Sequence, residues 1–123
     1  MGPVLLICVV DDDESVRESL PALLEQLGYD VLAFPSAEAF LASDAIDRAR
    51  CLILDVAMPG MSGPELQLEL RRRGKDIPVI FITAQPDEAL RAHVLAQGAV
   101  AYLIKPFLDE ALIDALAATL GPR

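Results

Sequence analysis

The chain is poor in the residues that build imidazole and thiol sites, with one histidine and two cysteines among 123 residues. The lone histidine, His93, has no cysteine, aspartate or second histidine at ligand spacing, so it reads as a surface or half-buried helix residue rather than a metal ligand. Cys8 and Cys51 both lie inside apolar runs and read as small buried hydrophobes kept reduced. A disulfide between them would require their strands to be neighbours. Basic residues are also scarce: 10 Lys and Arg stand against 19 Asp and Glu, for a net charge of −9. That balance argues against nucleic acid or an anionic membrane as a direct partner and favours one that is basic or brings a cation. Long apolar runs are missing too. Residues 3–10 are too few to span a bilayer and lack a basic leader, so they are no signal peptide, and Leu6 stands where a myristoylation motif wants Ser or Thr. A cytoplasmic protein is expected.

What is present is a chain 54% hydrophobic, enough for a sizeable core in one domain over residues 1–123. Its most distinctive stretch is Val9-Val10-Asp11-Asp12-Asp13, where an apolar run stops abruptly in three carboxylates. Residues 3–10 are apolar at odd and even positions alike, the pattern of a strand covered on both faces in a parallel sheet. The acids then fall at its carboxyl end, the edge at which open α/β sheets bind ligands. Adjacent carboxylates repel one another unless a cation neutralises them, and such hard oxygen ligands suit Mg²⁺. Asp13 reads as the N-cap of the helix that Glu14 and Val16 open. Asp11 and Asp12 read either as solvated loop acids or as metal ligands, and the fully apolar strand before them favours metal.

Further along, Val16, Leu20, Leu23, Leu24 and Leu27 predict a helix over 14–27, stopped by Gly28 and loosened or kinked at Pro21. A strand over 29–34 follows, then a small helix capped by Ser36 that carries Phe40 and Leu41. Residues 42–50 read as a loop. The second fully apolar strand, 51–54, ends in Asp55, and a turn-rich loop over 56–63 leads to the capping box Ser62-x-x-Glu65. That helix turns Leu66 and Leu70 inward, places Arg71, Arg72 and Arg73 at its C-terminal dipole and ends at Gly74. A strand over 77–82 ends in Thr83-Ala84. Pro86 is expected in the first turn of the next helix with Asp87 and Glu88, and Leu90, Val94 and Leu95 on its buried side. Gly98 stops it, 100–104 forms the fifth strand, and Lys105-Pro106-Phe107 ends that strand. Leu112, Ile113, Leu116 and Leu120 mark the last helix, closed by Gly121-Pro122. Five strands alternating with five helices predict the doubly wound α/β class: a parallel sheet with right-handed crossovers and helices on both faces.

Read together, the strand ends bring Asp11-Asp12, Asp55, Thr83 and Lys105 to one edge. Those groups suit phosphoryl transfer to a carboxylate. Asp55 would attack phosphorus, Mg²⁺ on Asp12 and Asp55 would neutralise the spreading charge, and Lys105 with the Thr83 hydroxyl would hold the remaining phosphoryl oxygens.

At this point Val9-Val10-Asp11-Asp12, Leu54-Asp55 with Met58-Pro59-Gly60-Met61-Ser62-Gly63, Ile82-Thr83-Ala84 and Tyr102-Leu103-Ile104-Lys105-Pro106-Phe107 closely resemble the receiver domains of two-component response regulators. The resemblance, which extends to the chemotaxis protein CheY, covers the whole chain. It implies a (βα)5 sheet of order 2-1-3-4-5, with Asp55 accepting a phosphoryl group from a sensor histidine kinase or histidine phosphotransfer protein. It implies Mg²⁺ or Mn²⁺ bound by Asp12, Asp55 and the Ala57 carbonyl, with Asp11 acting through water, and a cis bond between Lys105 and Pro106. Thr83 and Tyr102 would form the switch, Thr83 moving toward the phosphoryl group and Tyr102 filling the space it leaves. The output surface would be helix four, strand five and helix five, where an output domain, a downstream protein or a second copy binds. Ala57 and Gln85, two residues past the phosphoacceptor and two past the threonine, would line the path of the attacking water and tune the phosphoryl lifetime. Ser36-Ala37-Glu38-Ala39-Phe40-Leu41 looks like receivers of the nitrogen-fixation-regulator type, which usually carry a C-terminal helix-turn-helix domain. None lies within these residues, and Gly121-Pro122-Arg123 reads as the start of a linker.

Two other readings compete. The haloacid-dehalogenase-like phosphatases also open on a strand with Asp-x-Asp, here Asp11 and Asp13, and use a later Thr and Lys. That reading lacks a second acidic pair and a cap domain and leaves Asp55 without a role. A pseudo-receiver would keep the fold without the chemistry.

Overall fold

The computed structural model describes residues 4–121; Pro3, where the first strand was expected to start, and the linker residues Pro122 and Arg123 lie outside the described residues, and that strand begins only at Leu6, with Val4 and Leu5 not part of it. In chain order the elements are β1 (Leu6–Val10), α1 (Glu14–Gln26), β2 (Asp30–Phe34), α2 (Ala37–Leu41), a 3-10 turn (Asp44–Asp47), β3 (Cys51–Asp55), α3 (Gly63–Arg72), β4 (Val79–Thr83), α4 (Glu88–Ala96), β5 (Ala101–Ile104) and α5 (Asp109–Leu120). All strands pair in parallel in the order β2-β1-β3-β4-β5. β1, β3 and β4 are buried at every position, which is why their sequences show no alternation of apolar and polar residues.

Alternate residues of these strands feed two cores. Cys8, Val10, Leu52, Leu54 and Phe81 pack with Phe40, Leu66 and Val94, so α2, α3 and α4 cover one face. Ile7, Val9, Ile53, Ile80 and Ile82 pack with Leu24, Leu112 and Leu116, so α1 and α5 cover the other. Each such side chain taken fully out of water contributes about 1.5–3 kcal/mol before entropy is counted. The two cysteines follow the same alternation. β1 and β3 are neighbours, but Ile7 stands opposite Cys51 and Cys8 opposite Leu52, so the one-residue offset sends the thiols to opposite faces and both are free. Burial pushes each thiol up to about 12, leaving two neutral, unreactive small hydrophobes.

The caps expected for α1, α2 and α3 are present. Asp13 accepts from Ser15 N–H, Ser36 from Ala39 N–H, and Ser62 and Glu65 close a full capping box. Elsewhere the structure differs. α1 ends at Gln26 rather than residue 27 and includes Pro21. Residues 44–47 form a 3-10 turn capped by Ser43 where a plain loop was expected. β4 begins at Val79 rather than residue 77: Pro78 gives its carbonyl to Leu52 N–H at 2.9 Å but has no N–H to continue the ladder. α4 starts at Glu88 with Asp87 as its N-cap, which leaves Pro86 outside the helix. His93 is exposed. Among the described residues no helix is long and apolar enough to cross a membrane.

Candidate functional site

Because the strands are all parallel, their carboxyl ends share one edge, and the segments after β1, β3, β4 and β5 meet there. Asp11, Asp12, Asp13, Asp55, Ala57, Thr83, Ala84, Gln85 and Lys105 line a cleft of about 360 Å³ at that edge.

Asp11 is the most constrained of these. It is wholly buried, its Oδ1 accepts from Asp13 N–H at 2.9 Å, and its Oδ2 accepts from Lys105 Nζ at 3.0 Å. Its main chain is held as well: its N–H donates to the Phe34 carbonyl at 3.1 Å and its carbonyl accepts from Arg17 at 3.0 Å. Asp12 is exposed at the mouth, and one carboxylate oxygen each from Asp11, Asp12 and Asp55 lies within 4.8 Å of the others.

Asp55 closes β3 at 6% exposure, with its Oδ1 3.6 Å from Lys105 Nζ. Burial pushes its carboxyl up to about 7; the Asp11 charge adds to that rise, Lys105 pulls against it, and Asp12 adds further. Burial likewise works against the Lys105 ammonium, but its hydrogen bond and charge contact with Asp11, joined by Asp55, outweigh this and hold it above the usual lysine range. Three carboxylates facing one ammonium leave a surplus of negative charge on hard oxygen donors, and Mg²⁺ or Mn²⁺ fits that donor set.

The backbone around Asp55 is fixed from two sides. Val56 N–H donates to the Ile82 carbonyl at 3.1 Å, and Gly63 N–H donates to the Val56 carbonyl at 3.0 Å. A Cβ at Gly63 would press into the Asp55 carbonyl oxygen and lie 3.0 Å from the Phe81 ring, so only glycine lets the start of α3 sit this close to the end of β3. Thr83, 2% exposed at the end of β4, accepts from Gln85 N–H at 3.1 Å and donates back to the Gln85 carbonyl at 3.2 Å. Tyr102 is half-buried on β5 and does not line the cleft; its hydroxyl accepts from Asp87 N–H at 3.2 Å. The Lys105–Pro106 peptide is cis.

The cleft thus assembles Asp11, Asp12, Asp55, Ala57, Thr83, Gln85 and Lys105, all expected from the sequence, and leaves Tyr102 outside it, bonded to Asp87 just before α4. Two contributors had roles the sequence did not show. Arg17 acts through a backbone oxygen six residues away, and Gly63, though part of the motif over residues 58–63, acts by lacking a side chain against the end of β3.

Comparisons with known proteins agree over nearly the whole chain. A family profile described as response regulator receiver domain matches residues 7–117. The transcriptional regulatory protein FixJ of Azorhizobium caulinodans is 47% identical over 122 residues, covering 98% of this chain and 57% of that protein. Nodulation protein W of Bradyrhizobium diazoefficiens is 44% identical over 113 residues, covering 92% of this chain and 50% of that protein. The chain therefore spans about half the length of these curated relatives. Among solved structures, FixJ-N superposes with a TM-score of 0.84 at 37% identity over 97% of this chain and 94% of that one. Chemotaxis protein CheY4 of Vibrio cholerae gives 0.85 at 28% identity over 95% and 99%.

Proposed function

The chain belongs to the receiver domain family of two-component response regulators, and from that membership we propose that Asp55 is its phosphoacceptor. The observation that supports this most directly is the Lys105 ammonium placed between Asp11 at 3.0 Å and Asp55 at 3.6 Å. It leaves a carboxylate at the strand end with a cation already beside the oxygens of any group it accepts. An Asp55 oxygen attacks phosphorus, the bond to the donor imidazole nitrogen breaks, and an acyl phosphate remains on Asp55. Lys105 and the Thr83 hydroxyl hold the phosphoryl oxygens. Asp11, Asp12 and Asp55, with the Ala57 carbonyl, hold Mg²⁺ or Mn²⁺, which when bound offsets the negative charge gathered during transfer.

The donor, a histidine kinase or phosphotransfer protein, approaches this cleft from outside. An apolar groove of about 450 Å³ between α1 and the start of α5, lined by Val16, Leu20, Leu23, Pro106 and Phe107, shares Lys105 with the cleft and suits that contact. The switch uses one short segment. Thr83 holds Gln85 and Tyr102 holds Asp87, so phosphoryl oxygens that draw away the Thr83 hydroxyl release the same stretch on which Tyr102 rests. The surface of α4, β5 and α5, with Val100, Ile104 and Leu108 exposed along it, is where an output domain, a downstream protein or a second copy docks.

Intact-mass spectrometry after incubation with acetyl phosphate tests this reading. A gain of one phosphoryl group that needs Mg²⁺ and is lost in Asp55→Asn is expected. No gain in folded protein would mean a pseudo-receiver, and donor turnover that survives Asp55→Asn but not Asp11→Asn would mean a phosphatase.

A further inference from the structure

We propose that Glu38 is a positioning residue for the loop after β3, holding from α2 the segment that supplies the Ala57 carbonyl; this rests on the Mg²⁺ site argued above. The loop over residues 56–62 is fixed at its base, where Gly63 N–H reaches the Val56 carbonyl at 3.0 Å. Its far turn is held differently. Met61 N–H donates to Glu38 Oε2 at 3.0 Å, a contact between residues 23 apart in sequence. The carboxylate also covers the turn, because a Cβ built on Gly60 would lie 2.6 Å from the same oxygen, and Gly60 holds φ at 74°.

Glu38 is suited to such a task by its own element. It stands between Ala37 and Phe40, both fully buried, on a helix whose start is capped by Ser36 and whose Phe40 ring meets Phe34 edge-on at 5.5 Å. The helix is seated by its neighbours, and Glu38 itself is exposed, so its carboxylate contributes reach rather than packing. A charge-assisted bond to a backbone N–H is stronger than a neutral one. With Val56 fixed at one end and Met61 at the other, the intervening residues, Ala57 among them, have little freedom left. Partners that orient a ligand without touching the metal commonly change affinity by about 10–100-fold; for a solvent-facing tether we expect about three- to tenfold.

The test uses the whole chain, free of metal, in three forms: wild type, Glu38→Ala and Glu38→Gln. Magnesium chloride is titrated by calorimetry, and amide exchange is followed by NMR without metal. Glu38→Ala should bind Mg²⁺ about three- to tenfold more weakly and exchange faster at Met61, while Glu38→Gln, which keeps an oxygen acceptor, should recover most of both. Glu38→Ala binding Mg²⁺ as wild type does would overturn the positioning role, whatever happens to exchange. Wild type taking up no Mg²⁺ is a different failure, that of the metal site itself.

Discussion

Asp55 carries a folded-state pKa raised from the ordinary aspartate value of 3.8 to about 7, and that shift has a consequence for stability. Between those two pH values the unfolded chain has lost its proton while the folded chain keeps it, so the folded state binds more protons and stability falls as pH rises. Below about pH 4 the effect is absent, and above about pH 8 it is constant. Metal-free wild type should therefore lose stability relative to Asp55→Asn across this window, and urea melts at a series of pH values measure the widening gap. A gap independent of pH would mean that burial and the neighbouring carboxylates do not raise this carboxyl. Ala57 makes a second point at this scale. Its methyl group cannot orient water, whereas the Gln85 amide at the same cleft can. Ala57→Asn or Ala57→Glu should change the lifetime of the phosphoryl group more than the rate at which it is acquired, measured by mass spectrometry in decay and uptake. Equal changes in both rates would remove Ala57 from the water path. The principal acids, Thr83 and Lys105 were legible in the sequence because a parallel sheet sends every strand end to one edge. Arg17, Glu38 and Gly63 were not, because each acts on backbone atoms that folding brings near and that leave no trace in side-chain pattern.

The elements show a similar division. Strands apolar at every position, caps with a serine or aspartate at the right offset and glycines after the last helical turn are local signals, and β3, α1 and α3 follow them closely. What local signals missed is geometry set by neighbours: the ladder that Pro78 prevents from starting earlier, the 3-10 turn among small and polar residues, and the buried Gln67. That side chain, 5% exposed, donates to the Val94 carbonyl at 3.3 Å and ties α3 to α4, yet within Leu66-Gln67-Leu68 it reads as an ordinary surface residue. The strictest demand on an element is at the start of α3. Gly63→Ala places a methyl group against the Asp55 carbonyl and the Phe81 ring, and relief requires α3 to shift. Overpacking of this kind costs about 1–3 kcal/mol. A lower urea midpoint with an unchanged slope is the expected result, together with impaired phosphorylation, because the shift acts on the backbone that carries Asp55. An alanine variant as stable as wild type would show that α3 moves freely.

At the scale of the whole molecule, a net charge of −9 and a cleft of like charges are two separate sources of repulsion, and they respond to different ions. Surface pairs such as Lys75 with Asp47 and Arg72 with Glu69 offset little of the first, since exposed pairs contribute about 0–1 kcal/mol each. Monovalent salt shortens the reach of that diffuse field, from about 30 Å at 0.01 M to about 10 Å at 0.1 M. It should raise the melting temperature of wild type and Asp12→Asn alike. Mg²⁺ at constant ionic strength addresses the cleft instead. At a concentration of 100 times its Kd it would stabilise wild type by about 2.7 kcal/mol, which for a chain of this length is a rise of several degrees. Asp12→Asn should reverse the ranking. Without Mg²⁺ it removes one of the charges that raise the Asp55 pKa and should melt above wild type; with Mg²⁺ it lacks a ligand and should gain little, so the two melting curves cross as Mg²⁺ is added. Parallel gains in both proteins would mean that Mg²⁺ acts only as a more effective screening salt and is not held by the three carboxylates of the cleft.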